Sequence, residues 1–84
     1  GKMLMIRLRR GGAKHNPVYR VVVSDSRKDT QADYLDQVGF YNPNLDPPEI
    51  RIDLDKIEQW TSQGAGVSET VHSLIRRVQR QQQA

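Results

Sequence analysis

Between residues 7 and 28 the chain gathers Arg7, Arg9, Arg10, Lys14, Arg20, Arg27 and Lys28 around a glycine pair, Gly11-Gly12, and the donors His15 and Asn16. The chemistry such a set can do is anion binding. A guanidinium grips a phosphate through two parallel hydrogen bonds, and a lysine adds a point charge. Glycines allow a backbone to approach closely, while His15 and Asn16 offer short-range donors to sugar or phosphate. Arg7 and Arg9 alternate with apolar residues, so on a strand they project from one side about 6.5–7 Å apart. That spacing is close to the separation of neighbouring phosphates on a nucleic-acid strand. A second basic group, Arg76, Arg77 and Arg80, comes near the end of the chain.

The signs are segregated. Residues 1–28 carry eight Lys/Arg against one acid, Asp25, a net +7. Residues 29–60 carry two bases against eight acids, a net −6, and the remainder is +2. Strand edges are often protected from aggregation by one or two charges, but a block of this size exceeds that need. Segregated positive charge on a small domain points to a polyanion.

Catalysis finds little support. Asp53, Asp55 and Glu58 could bind a divalent cation or exchange protons. They stand where a helix begins, however, and capping accounts for them. His15 has no carboxylate nearby in sequence to orient it, and His72 lies beside an apolar helical stripe as a packing or surface residue. No phosphate-binding loop, nucleophile elbow or zinc signature is present. With no cysteine there is no disulfide or thiolate site. The expectation is a binding protein without catalytic residues, metal, cofactor or small-molecule substrate.

The elements that must position the cations follow from periodicity. Lys2–Arg10 alternates, with Leu4, Ile6 and Leu8 inward and Arg7 and Arg9 outward, which predicts a strand. Gly11-Gly12 opens a loop of about seven residues that Pro17 closes, too long for a two-residue turn. Val18–Asp25 is a β-branched second strand, Arg27–Asp33 a mobile loop, and Tyr34–Tyr41 a third strand. Gly39 marks a bulge or a close backbone approach there. Ile50, Ile52 and Leu54 give a short fourth strand.

The period then changes to that of a helix. Asp55 and Glu58 suggest a capping box, Ile57 and Trp60 face inward, and Gly64 ends the helix. Ser68 caps a second helix whose Val71, Leu74, Ile75 and Val78 form one stripe. Gln81–Ala84 is expected to fray. The sum is one α+β domain over residues 1–84: a four-stranded, largely antiparallel or mixed sheet with two C-terminal helices on one face. Gly1-Lys2, ahead of Met3, reads as a cloning scar or processing remnant.

Tyr19 and Trp60 are assigned to the core, whereas Tyr34 and Tyr41 are open to base stacking. Contact with phosphates and groove shape in folded RNA fits this set better than base-by-base reading. Chains of this length bury only about 60–65% of their unfolded surface, so a partner is the expected source of extra stability. No apolar run approaches the roughly 20 residues that span a bilayer, and a soluble chain without membrane contact is expected.

Three stretches resemble one family. Ile6-Arg7-Leu8-Arg9-Arg10-Gly11 followed by Lys14-His15-Asn16-Pro17-Val18-Tyr19-Arg20-Val21-Val22-Val23-Ser24-Asp25 is similar to the N-terminal signature of bacterial small-subunit ribosomal protein sixteen. Val38-Gly39-Phe40-Tyr41-Asn42-Pro43 resembles its second motif. Trp60, Gly64-Ala65, Ser68 and Thr70-Val71 resemble its third. The resemblance covers residues 3–78 in the right order. It implies a structural protein of the bacterial or organellar small ribosomal subunit, located in the cytoplasmic ribosome. It further implies binding to 16S ribosomal RNA, help with subunit assembly, and contacts with neighbouring small-subunit ribosomal proteins. The residues carried over are Arg7, Arg9, Arg10, Lys14, His15, Asn16, Arg20, Arg27 and Lys28. Asp29 and Asp33 dilute a loop that is more densely basic in family members. The free chain is expected to be a monomer. The competing readings are a free-standing nucleic-acid-binding regulator, a metal-dependent nuclease using Asp53, Asp55 and Glu58, and a protein-only adaptor that offers the acidic segment to basic neighbours.

Overall fold

A computed structural model describes residues 3–27 and 34–83. Gly1-Lys2, most of the expected mobile loop (28–33, with Lys28, Asp29 and Asp33) and Ala84 lie outside them. The elements run β1 (Leu4–Ala13), β2 (Asn16–Asp25), β3 (Asp36–Asn42), β4 (Glu49–Ile52), α1 (Leu54–Ser62), β5 (Gly66–Val67) and α2 (Glu69–Gln83). The sheet order is β4-β3-β2-β1-β5. Neighbours among the first four strands are antiparallel, and β5 runs parallel to β1. The α+β class holds, with five strands rather than four. The extra one is two residues long, too short to leave any periodicity in the sequence.

The β1–β2 connection is also tighter than expected. Pairing continues through Gly11↔Val18, Gly12↔Pro17 and Ala13↔Asn16, so only Lys14 and His15 make the turn. Gly12 has φ +81°, a conformation that non-glycine residues rarely adopt. A β-carbon there would sit 2.7 Å from the Asn16 carbonyl oxygen. The glycine pair thus extends the ladder instead of ending it. Pro17 is tolerated because Gly12↔Pro17 lies next to the closing pair, where the backbone N–H groups point outward. The outward Pro17 carbonyl accepts a hydrogen bond of 2.8 Å from Asn44 Nδ2.

β3 contains the irregularity that Gly39 signalled. Val21 pairs with Gly39 but Val22 pairs with Gln37, which leaves Val38 as the extra residue. The bulge turns Val38 into the core, where it is buried. At Gly39 an added β-carbon would lie 2.6 Å from the Arg51 carbonyl oxygen of β4.

α1 begins two residues earlier than the expected capping box. Asp53 is the N-cap, its side chain accepting from the Lys56 backbone N–H at 3.2 Å, and Asp55 occupies the first turn. Gly64 follows the helix with φ +99°, as its C-terminal position required. Ser68 caps α2, its Oγ accepting from the Val71 N–H at 3.3 Å. α2 runs from Glu69 to Gln83.

One core joins sheet and helices. Ile6, Val21, Val23, Val38, Ile57, Ala65 and Val71 form its buried centre. Leu4, Leu8, Ile52, Trp60, Val67 and Ile75 pack around it. Trp60 and Ile57 face inward as the helical spacing predicted. Among the described residues no helix is long and apolar enough to cross a membrane.

Candidate nucleic-acid interface

Because directly paired residues in a sheet point to the same side, the register sorts every strand residue by face. Ile6↔Val23 and Leu8↔Val21 face the helices. The opposite, outer face therefore carries Met5, Arg7, Arg9 and Gly11 from β1, with Val18, Arg20, Val22 and Ser24 from β2. β3 adds Gln37 and Phe40, and β4 adds Arg51 opposite Phe40. Arg7, Arg9, Arg20 and Arg51 thus share one side of the sheet.

Hydrogen bonds and ring contacts fix these arginines to different degrees. Arg7 donates from Nε to Ser24 Oγ at 2.9 Å and from Nη2 to the Asp25 carbonyl oxygen at 3.4 Å. The Arg9 guanidinium lies 5.3 Å from the centroid of the Tyr34 ring. Arg20 is exposed and stands directly opposite Arg9. Arg51 is tied to Glu49 at 2.6 Å. Val22 is only 2% exposed although it lies on the outer face, between its cross-strand partners Arg7 and Gln37. This face is therefore a packed surface capped by charged groups, as expected where long cationic side chains lay their stems over apolar neighbours.

The hairpin tip extends the surface. Lys14, His15 and Asn16 are exposed there, and Arg10 Nη2 donates to the Lys14 carbonyl oxygen at 3.3 Å. Arg10 itself pairs with Tyr19 and projects from the other side of the ladder. Arg27 sits at the far end of β2, held by Asp25 through bonds of 3.1 Å from Nε and 2.9 Å from Nη2. The hydrogen bonds and charge of Asp25 raise the Arg27 pKa above its ordinary value, so its charge is already matched within the protein. Arg76, Arg77 and Arg80 are exposed on α2, the layer that covers the inner face. The structure thus places Arg7, Arg9 and Arg20 on one sheet face with the tip at its end, joins Arg7 and Arg27 at Asp25, and sets the three helical arginines on the opposite layer. Lys28 lies outside the described residues.

Sequence reasoning missed Arg51, Phe40 and Ser24. Parity along Ile50-Arg51-Ile52 places Arg51 outward, but its position in the acidic segment concealed its relation to the basic strands. Of the acids considered for metal binding, Asp53 caps α1 and Asp55 stands in its first turn, and among the described residues no cluster of His, Asp and Glu could hold a metal ion. Of the two open tyrosines, Tyr41 stacks on Tyr19 with ring centroids 5.9 Å apart.

Comparison with known proteins decides the family. The model of ribosomal protein S16 matches residues 10–68, which include the hairpin tip, β2, β3 and α1. The chain belongs to the ribosomal protein S16 family. The small ribosomal subunit protein bS16 of Caldanaerobacter subterraneus subsp. tengcongensis is 50% identical over 72 residues, covering 86% of this chain and 88% of that protein. That of Hydrogenovibrio crunogenus is 49% identical over 76 residues, covering 88% and 95%. That of Proteus mirabilis is 50% identical over 76 residues, covering 88% and 93%. Membership in the S16 family makes this a structural protein of the small ribosomal subunit rather than an enzyme.

Proposed function

We propose that this chain binds 16S ribosomal RNA through the outer sheet face and hairpin tip, and so supports assembly of the small subunit. Arg7, Arg9 and Arg20 contact backbone phosphates. Gly11 and Gly12 let the tip approach closely, and Arg10, Lys14, His15 and Asn16 continue the contact along the hairpin. Arg76, Arg77 and Arg80 meet a separate segment of the same RNA from the helical side. Arg27, already paired, adds little, and Lys28 contributes a further positive charge to RNA binding. Neighbouring small-subunit proteins pack against what remains.

The observation that carries this reading is the juxtaposition of Arg9 and Arg20 as direct cross-strand partners. Two like charges at that spacing are unfavourable in the free protein and favourable once an anion lies across them. The test is the salt dependence of binding to 16S ribosomal RNA. Each neutralised phosphate contributes about 0.7–0.9 log units of affinity per log unit of salt. Replacing Arg7, Arg9 and Lys14 together by alanine should flatten that slope. An unchanged slope rejects the surface.

A further inference from the structure

We propose that Arg9 and Tyr34 form a stacking site for an unpaired nucleobase of the RNA, an inference that rests on the RNA-binding face proposed above. The guanidinium carbon of Arg9 is 5.3 Å from the Tyr34 ring centroid, and both residues are half-buried. The ring therefore lies within cation–π reach of the guanidinium. The Arg9 guanidinium has no hydrogen-bond or ion-pair partner among the described residues, so its N–H edge is left for a phosphate. A planar cation uses edge and face independently: the edge donates hydrogen bonds while the face stacks.

The other rings near the sheet are committed differently. Tyr19 and Tyr41 stack on each other, and Trp60 packs against the core while donating from Nε1 to Asp36 at 3.0 Å. Tyr34 is joined on the outer face by Phe40, which pairs directly with both Arg20 and Arg51. Two rings therefore sit among the guanidiniums of this surface, Tyr34 beside Arg9 and Phe40 between Arg20 and Arg51. Phosphate neutralisation alone does not call for rings. Their interleaving with arginine suits a strand whose bases are splayed from the backbone and stacked on protein. A flat base extends the Arg9–Tyr34 stack, and the phosphate beside it receives the Arg9 edge.

A ring that merely covered apolar surface would be replaceable by any apolar side chain of similar bulk, and this separates the two roles. Binding of full-length 16S ribosomal RNA is measured at several salt concentrations for wild type, Tyr34→Phe and Tyr34→Leu. Tyr34→Phe should bind like wild type. Tyr34→Leu should bind about tenfold more weakly at every salt, with an unchanged slope, because stacking releases no counterions. Wild-type binding by Tyr34→Leu, or a loss that comes with a flatter slope, overturns the proposal. A second measurement needs no variant: ultraviolet cross-linking of the wild-type complex should attach a base to Tyr34, and a cross-link map lacking that residue counts against stacking. Arg9→Ala and Arg20→Ala serve as controls for the underlying face. If neither changes affinity or slope, the RNA-binding reading itself fails. If both act as expected while the Tyr34 results are negative, stacking alone is wrong.

Discussion

Arg9 and Arg20 stand directly opposite each other across the β1–β2 ladder, and among the described residues neither is paired with a carboxylate. Like charges in that relation are destabilising by a fraction of a kcal/mol up to about 1 kcal/mol, with the exposed Arg20 at the low end. The free protein accordingly tolerates a local cost at the centre of its proposed binding face. Arg20→Ala should leave the isolated protein as stable as wild type or a few tenths of a kcal/mol more stable, while weakening RNA binding. Urea denaturation set beside RNA titration checks this, and a variant that loses stability and binding together would contradict it.

Acid should act through Asp36. Its carboxylate accepts from Trp60 Nε1 at 3.0 Å and from Lys56 Nζ at 3.4 Å, joining β3 to α1. The Trp60 hydrogen bond chiefly lowers its pKa below the ordinary 3.8, with partial burial opposing and Lys56 assisting. A carboxyl with a depressed folded pKa contributes stability that is present above the unfolded value and lost as pH falls through the folded one. The stability difference between wild type and Asp36→Asn should therefore be full at neutral pH and shrink below pH 3.8. Denaturant midpoints for both proteins from neutral pH to pH 2 would show the convergence. A difference independent of pH would contradict it.

Gly39 is a packing requirement. An alanine methyl would meet the Arg51 carbonyl oxygen at 2.6 Å, and backbone cannot rotate aside as a side chain can. Gly39→Ala should cost about 1–3 kcal/mol, the range for overpacked sites. It should also loosen the β3–β4 pairing, visible as faster amide exchange in Glu49–Ile52. Exchange as slow as in wild type would mean that the strands shift to make room.

The register of the α1 cap can be read by substitution. Asp53→Ala should cost about 1 kcal/mol through loss of the bond to the Lys56 N–H, and Asp53→Asn much less. Asp55→Ala, in the first turn but not capping, should cost only a few tenths of a kcal/mol through the helix dipole. Thermal melts of the three variants rank them. The reverse order would restore the capping box suggested by Asp55 and Glu58.

What could be read from sequence was whatever repeats. Leu4, Ile6 and Leu8 showed β1, and Val71, Leu74, Ile75 and Val78 showed α2, because burial on one face imposes a period on the residues. The β5 strand has two residues and no period. The β1–β2 turn was misjudged because Gly11-Gly12 and Pro17 signal loops wherever their ladder partners are unknown. Only the register reveals Gly12 beside Pro17, where a positive φ and a missing N–H are both harmless. The cations of the site were legible as composition. Their sorting into an outer face, a tip and a helical group was not, because it depends on which strands lie side by side. Arg51 and Tyr34 join Arg9 and Arg20 only through folding.

β1 supplies Arg7 and Arg9 on one side and Ile6, the centre of the core, on the other. Its far edge receives β5, and the Ile6 carbonyl oxygen accepts the backbone N–H of Ser68, the residue that caps α2. One strand is thus both foundation and façade. A genetic screen for failed ribosome assembly should consequently recover lesions at Val71 or Ser68 beside those at the arginines, since a slipped helix would misaim cations it never touches.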